Sequence, residues 1–337
     1  MKKLINKLRI GTNNCSKYSA NKISKSRVLF TVMFLVALAF GFTNKAKAQA
    51  RVFGLTSPVL PTGNTYFRIL DVDDLNTLHE WVTGTGQTAG GPYTCASIEF
   101  VVVADIDFNG VIGDESHPFS GILNGNGATI TLNSGSSSQN YVGLFAYLEG
   151  ATINNLNIAG ELEGNSFVGS IAGCANNSTI INSNNNSIVK GNSVVGGIVG
   201  MSTNGTIQDC SNKSSISGLG NRVGGIVGYM SGDISSCYNN GFVCGSSGVG
   251  GICGEIAGGS ITFSSNNFNV RGDFLIGGIV GATWATFING TVFQCINNGP
   301  IEGFSNVGGI VGLFMGGNMI LNFNTGSVTS GITFGGC

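Results

Sequence analysis

One short phrase returns along the last two-thirds of the chain at nearly constant spacing. It reads VGLFA at Val142, VGSIAG at Val168, VGGIVG at Val195 and Val223, VGGICG at Val249, IGGIVG at Ile276 and VGGIVG at Val307. It starts again as FGG at Phe334. Subtracting successive start positions gives intervals of 26, 27, 28, 26, 27, 31 and 27 residues. Self-similarity at this period requires a solenoid, in which each repeat is one coil that buries its apolar face only against its neighbours. The function of such a scaffold lies in local departures from the repeat.

Between these phrases lies a second one: GTIQDCSNKSSISG from Gly205, GDISSCYNNGFVCG from Gly232, GSITFSSNNFNVRG from Gly259 and GTVFQCINNGPIEG from Gly290. It carries an apolar column at Leu162, Val189, Ile216, Val243, Val270, Ile301 and Val328. The next residue is variable and often polar: Glu163, Lys190, Ser217, Cys244, Arg271, Glu302, Thr329. Apolar followed by polar is the pattern of a strand with one buried face. A glycine usually follows, as expected at a corner that needs positive φ or close backbone approach. Four residues before each column member stands an asparagine, at 185, 212, 239, 266, 297 and 324, with Ile158 in the first coil. Identical amides stacked about 4.8 Å apart can hydrogen-bond along the axis, so this column predicts an asparagine ladder at a turn. No apolar period of 3.6 persists, and Gly, Asn, Ser and Thr dominate, which makes helix a poor alternative in the repeats. About 27 residues hold three short strands and three turns. The fold class is therefore all-β, a parallel β-helix, which suits a chain with 42% apolar and only 10% charged residues.

With the preceding ADIDFNG from Ala104 and HPFSGILNGNGATITL from His117, the VGGIVG phrase resembles the GLUG-repeat proteins of bacterial surfaces. Related stretches lie beside the peptidase domains of some immunoglobulin A proteases. The resemblance covers roughly residues 60 to 337. It implies a right-handed β-helix that is secreted or exposed at a cell surface.

Residues 1–50 read as a secretory signal. Lys2, Lys3, Lys7, Arg9, Lys17, Lys22, Lys25 and Arg27 form a long basic lead before an apolar run from Val28 to Phe42. That run is shorter than an ordinary membrane span. Small-residue cleavage sites end at Ala48 and Ala50, and no lipobox cysteine follows the run. An uncleaved anchor is the competing reading. Residues 51–140 read as an N-terminal cap with the first irregular coils. Asp71 caps a short helix with Leu75, Leu78 and Val82 on one face. That helix is expected to cover the open end of the solenoid. Glu99 to Asp107 reads as one strand, and Ile122 to Leu132 as the first irregular coil. Residues 141–337 are the repeats, which reach Cys337 without a polar cap. Truncation, or a covering partner that could be a second copy, are the two readings of that end.

Several motifs invite chemistry. Asp105, Asp107 and Asn109 with Gly110 spell DxDxNG, the opening of a calcium loop; the competing reading is a strand and turn, since Ser116 occupies the twelfth position. Arg271-Gly272-Asp273 is the tripeptide that integrins recognise, although the repeat itself places Arg271 outward and Gly272 at a corner. The 31-residue coil after Ile276 carries four extra residues near 282–289, with Trp284 and Phe287 among them. Inserted loops are common binding sites, and aromatics there either stack on a ligand or cover the core edge. Cys210, Cys237 and Cys295 share a repeat position with Ser264, as small buried core residues would. A disulfide between Cys210 and Cys237 is the alternative. Glu163 and Lys190 on adjacent coils predict an exposed ion pair of about 0–1 kcal/mol. Neither histidine, His79 or His117, belongs to a zinc or nucleophile motif.

The net charge is −1, and it becomes acidic once the basic lead is removed, so a nucleic-acid partner lacks electrostatic support. These observations predict an exported, non-enzymatic surface β-helix that displays loops or acts as a stalk, adhesin-like, toward a host protein or carbohydrate. No cofactor is implied beyond the calcium reading. The alternatives are a carbohydrate-active β-helix enzyme, which folding could create by gathering Asp105, Asp107, Asp114 and Glu115, and a truncated stalk of a larger surface peptidase.

Overall fold

The computed structural model describes residues 48–51, 64–85, 92–284 and 290–334. The chain winds as a parallel β-solenoid with three sheets running along its length. From Ser166 to Gly308 each coil contributes one strand to a short-stranded sheet at the VGG phrase, such as Ser193–Gly196. It then turns into a second sheet with strands such as Val199–Gln208, and into a third with pairs such as Ser211–Asn212 and Ile216–Gly218. Every pairing between coils is parallel, as expected when the chain returns once per coil.

The columns read from the sequence are the register of the structure. Val168 pairs with Val195, Val195 with Val223, Val223 with Val249, Val249 with Ile276 and Ile276 with Val307. In the third sheet Leu162, Val189, Ile216, Val243, Val270, Ile301 and Val328 pair in order. A further column runs along the second sheet, from Phe67 through Phe100, Leu123, Ile153, Ile180, Ile207, Ile234 and Ile261 to Val292. All nine of these side chains are buried. Each contributes roughly 1.5–3 kcal/mol by leaving water, an upper bound because the unfolded chain is itself partly collapsed.

The asparagine ladder forms. Asn185 donates its amide to Asn212 at 2.8 Å, and Asn212, Asn239, Asn266 and Asn297 each donate to the next at 2.7 Å. The second N–H of each amide goes to the carbonyl two residues on, for example Asn239 to Gly241 at 2.8 Å. These amides are fully buried from Asn185 to Asn297, and pairing within the stack removes the cost of burying them. The ladder also explains the paired glycines. A Cβ on Gly225 would lie 2.2 Å from the Gly251 carbonyl and 2.5 Å from the Asn239 amide carbon. The glycine after the outward column works by close approach: a Cβ on Gly191 would meet a Val195 methyl at 2.6 Å.

Positive φ recurs elsewhere, mostly on non-glycine residues at two corner positions of the coil. One precedes the VGG valine, as at Phe167, Val194, Arg222 and Leu275; the other lies at the corner into the third sheet, as at Asn182, Asp209, Ser236 and Phe263.

The N-terminal helix α1 spans Val72–Thr83, with the Asp71 side chain accepting from Asp74 N and Gly84 closing it in a left-handed conformation. Leu75, Leu78 and Val82 are buried, as is Trp81, which meets Phe67 edge-on at 5.3 Å. Two expectations for this region are corrected. Glu99–Asp107 is two strands, Glu99–Val102 in the second sheet and Ile106–Phe108 in the third, because the chain turns a corner at Val103–Asp105. Stacking also begins before Ile122: Asn64–Ile69 already pairs with Glu99–Val102, and Ala48–Arg51 pairs with Asn64–Ile69. That last strand lies across the expected signal boundary at residue 50.

Candidate functional site

The period breaks in a confined stretch. Ile256 pairs with Thr283, 27 residues on, whereas Thr262 pairs with Phe293, 31 residues on. The four extra residues therefore lie between Thr283 and Thr291, and Phe287 lies outside the described residues. Trp284 opens this segment with its side chain 36% exposed.

Trp284 is anchored by a residue that the sequence reading missed. Its indole N–H donates to Glu255 Oε2 at 3.1 Å, and Arg222 Nε donates to the same oxygen at 2.6 Å. Glu255 is only 4% exposed, and a buried carboxylate persists only when paired and hydrogen-bonded. Its place is set by the stack. Met201, Tyr229, Glu255, Ala282 and Leu313 form one register column in the second sheet. The neighbouring corner position is filled by Phe167, Val194, Arg222 and Leu275 in other coils, but by Gly248 here. A Cβ on Gly248 would lie 2.8 Å from Glu255 Oε1, so the missing side chain makes room for the carboxylate. Arg222 also covers the Tyr229 ring, at 4.9 Å. Three successive coils thus supply Arg222, Glu255 and Trp284 to one flank. The signal available in the sequence was a single acidic residue in a column otherwise filled by Tyr, Cys, Met, Ala and Leu.

The tripeptide Arg271-Gly272-Asp273 lies on the solenoid with both charged groups engaged. Arg271 contacts Glu302 on the next coil at 2.8 Å and covers the Phe334 ring at 4.5 Å. The Asp273 carboxylate accepts from Phe334 N at 3.0 Å. Arg271 lies on the third sheet, whereas Trp284 follows the second-sheet strand Val280–Thr283.

Asp105, Asp107 and Asn109 are exposed on and beside the strand Ile106–Phe108. Asp105 accepts from Thr129 N at 2.7 Å, which binds the aspartate to the next coil. Among the described residues no group of three or more His, Cys, Asp or Glu could hold a metal ion. The four acids considered as a cluster do not all meet: Asp114 and Glu115 line a cleft with Asn109, without Asp105 or Asp107.

Lys190 pairs with Glu161 and not with its register partner Glu163, a correction to the expected pair. Cys95, Cys174, Cys210, Cys237, Cys253 and Cys295 are buried free thiols. Burial pushes the Cys237 and Cys253 thiols up, and carries Cys295 to about 11. Cys244, placed outward by the repeat pattern, is buried and disulfide-bonded.

The chain is a parallel β-solenoid protein with a helix-bearing N-terminal region. No family model matches it, and no curated protein matches it. Its structure is similar to the crystal structure of a Bacteroides ovatus protein provisionally described as an immunoglobulin A1 protease. The TM-score is 0.58 at 18% sequence identity, covering 78% of this chain and 86% of that one. At that identity the likeness establishes shared architecture.

Proposed function

We propose that this chain is an exported, non-enzymatic surface solenoid of the GLUG-repeat type, and that it binds host glycans or proteins in the manner of an adhesin. Trp284 carries the reading. Its ring is held at one edge by a buried carboxylate and keeps a solvent-facing surface, beside the four-residue insertion in the repeat. A rigid, partly exposed aromatic loses little conformational entropy on binding, which is why Trp anchors so many interfaces. Export follows cleavage near Ala48 or Ala50.

The test is a glycan and extracellular-matrix array probed with the mature chain and with Trp284→Ala. Binding by the parent that falls at least about ten-fold in the variant supports the reading, since an interface hot spot is worth about 2 kcal/mol or more. Undiminished binding by Trp284→Ala, with an unchanged melting temperature, would remove Trp284 from the site. A second reading, the stalk of a surface peptidase, draws on the likeness to the Bacteroides ovatus protein. Cleavage of immunoglobulin A1 by the purified chain would contradict the non-enzymatic reading.

A further inference from the structure

A cleft of about 400 Å³ opens where α1 meets the first coils, on the loop at Asp114–Glu115 and the segment Ser134–Tyr141. Its chemistry is one-sided. Asp114 and Glu115 supply carboxylates, Asn109, Gln139 and Asn140 supply amides, and no lysine or arginine lines it.

Two polar groups in its wall have no partner. Ser134 is only 8% exposed and its hydroxyl makes no hydrogen bond, and the buried Nδ1 of His79 makes none either. Buried polar atoms are nearly always satisfied, and leaving one unmade costs about 1–3 kcal/mol. Both atoms belong to residues that line the cleft, and a turn of the Ser134 side chain about χ1 would bring its hydroxyl to a ligand's hydrogen-bonding group. Glu115 likewise makes no hydrogen bond to a described residue. Asp114 is already committed. Burial alone would raise its pKa, but hydrogen bonds with the His117 ring and from the His117 and Ser116 backbones hold it below the usual carboxylate value.

An aromatic wall completes the cleft. The Tyr141 ring stacks on Phe167 at 4.8 Å and meets Tyr147 edge-on at 5.8 Å, with its backbone at φ 57°. Burial and the charge of nearby Glu115 raise the Tyr141 pKa, which places that carboxylate within electrostatic reach of the ring. A fixed aromatic beside convergent carboxylates and amides suits a ligand with one apolar face and many hydroxyl donors.

We infer that this cleft binds a saccharide, neutral or amine-bearing, with Glu115 and the Ser134 hydroxyl accepting from and donating to its hydroxyl groups and the Tyr141 ring beside its apolar face. The two carboxylates, in a cleft that no lysine or arginine lines, disfavour acidic sugars. This site is separate from Trp284 and does not depend on the adhesin reading.

The experiment is ligand-observed NMR and calorimetry on the mature chain with four probes: glucose, N-acetylglucosamine, glucosamine and glucuronic acid. Saturable binding is expected for at least one of the first three and not for glucuronic acid. Glu115→Gln, an exposed position that leaves folding intact, should weaken that binding about ten-fold, the value of one hydrogen bond to a charged group. Ser134→Ala should also weaken it, whereas Trp284→Ala should leave it unchanged. No saturable binding of the three sugars, equal binding of glucuronic acid, or full affinity in Glu115→Gln would each overturn the inference.

Discussion

Asn239 serves three coils at once: it accepts from Asn212, donates to Asn266, and bonds the backbone of Gly241 through both of its amide atoms. Asn239→Ala should therefore cost roughly 3 kcal/mol or more, because several buried groups lose partners together. Asn267→Ala, in the exposed outer row, should cost under about 1 kcal/mol. Urea unfolding of the two variants checks the contrast. The buried thiols predict a pH dependence. Unfolded cysteines titrate near 9.0, whereas burial moves Cys295 to about 11 and Cys95 to about 12. An acid whose folded pKa is raised holds its proton more firmly when folded, so that stabilisation is complete below pH 9 and declines as pH rises through the folded values. The urea midpoint should fall between pH 8 and pH 10.5, and a thiol reagent at pH 8 should leave the six free thiols unmodified until the chain unfolds. The asparagine and cysteine columns were legible because the stack demands the same residue at the same place. The positive-φ positions were not, because Phe167, Val194, Arg222 and Leu275 share a backbone conformation and no side-chain chemistry.

At the scale of elements, α1 and the break in the period position the two candidate sites. The helix was legible from Asp71 and the spacing of Leu75, Leu78 and Val82. Trp81 was not recognised as core, although it is fully buried and meets Phe67. Trp81→Ala should cost about 3–5 kcal/mol, the usual penalty for emptying a large core site. It should also open the cap cleft through His79 on the same helix. A loss under about 1 kcal/mol in urea unfolding would show that α1 rests loosely on the coils. The Trp284 flank was half legible. The sequence located the four extra residues, but the carboxylate that fixes the indole comes from the preceding coil and the arginine from the one before that. Only the register brings Arg222, Glu255 and Trp284 together, so local sequence could not show it. The same holds for the cap cleft, whose His79, Glu115 and Ser134 are far apart in the chain.

At the scale of the whole molecule, every position is set by one rule: a residue lies one strand spacing from its equivalent in the next coil. Local departures then decide function, since a solenoid transmits little beyond neighbouring repeats. The outward column of the third sheet offers the most direct test. Lys190, Ser217, Cys244, Arg271, Glu302 and Thr329 pair in succession. Spin labels at Lys190→Cys and Glu302→Cys are four coils apart, and labels at Lys190→Cys and Thr329→Cys are five apart. At about 4.8 Å per step, pulsed dipolar spectroscopy should give backbone separations of about 19 Å and 24 Å, broadened by the label tethers. A narrow pair of distances differing by one strand spacing would establish the continuous stack. Broad distributions, or equal distances for the two pairs, would contradict it.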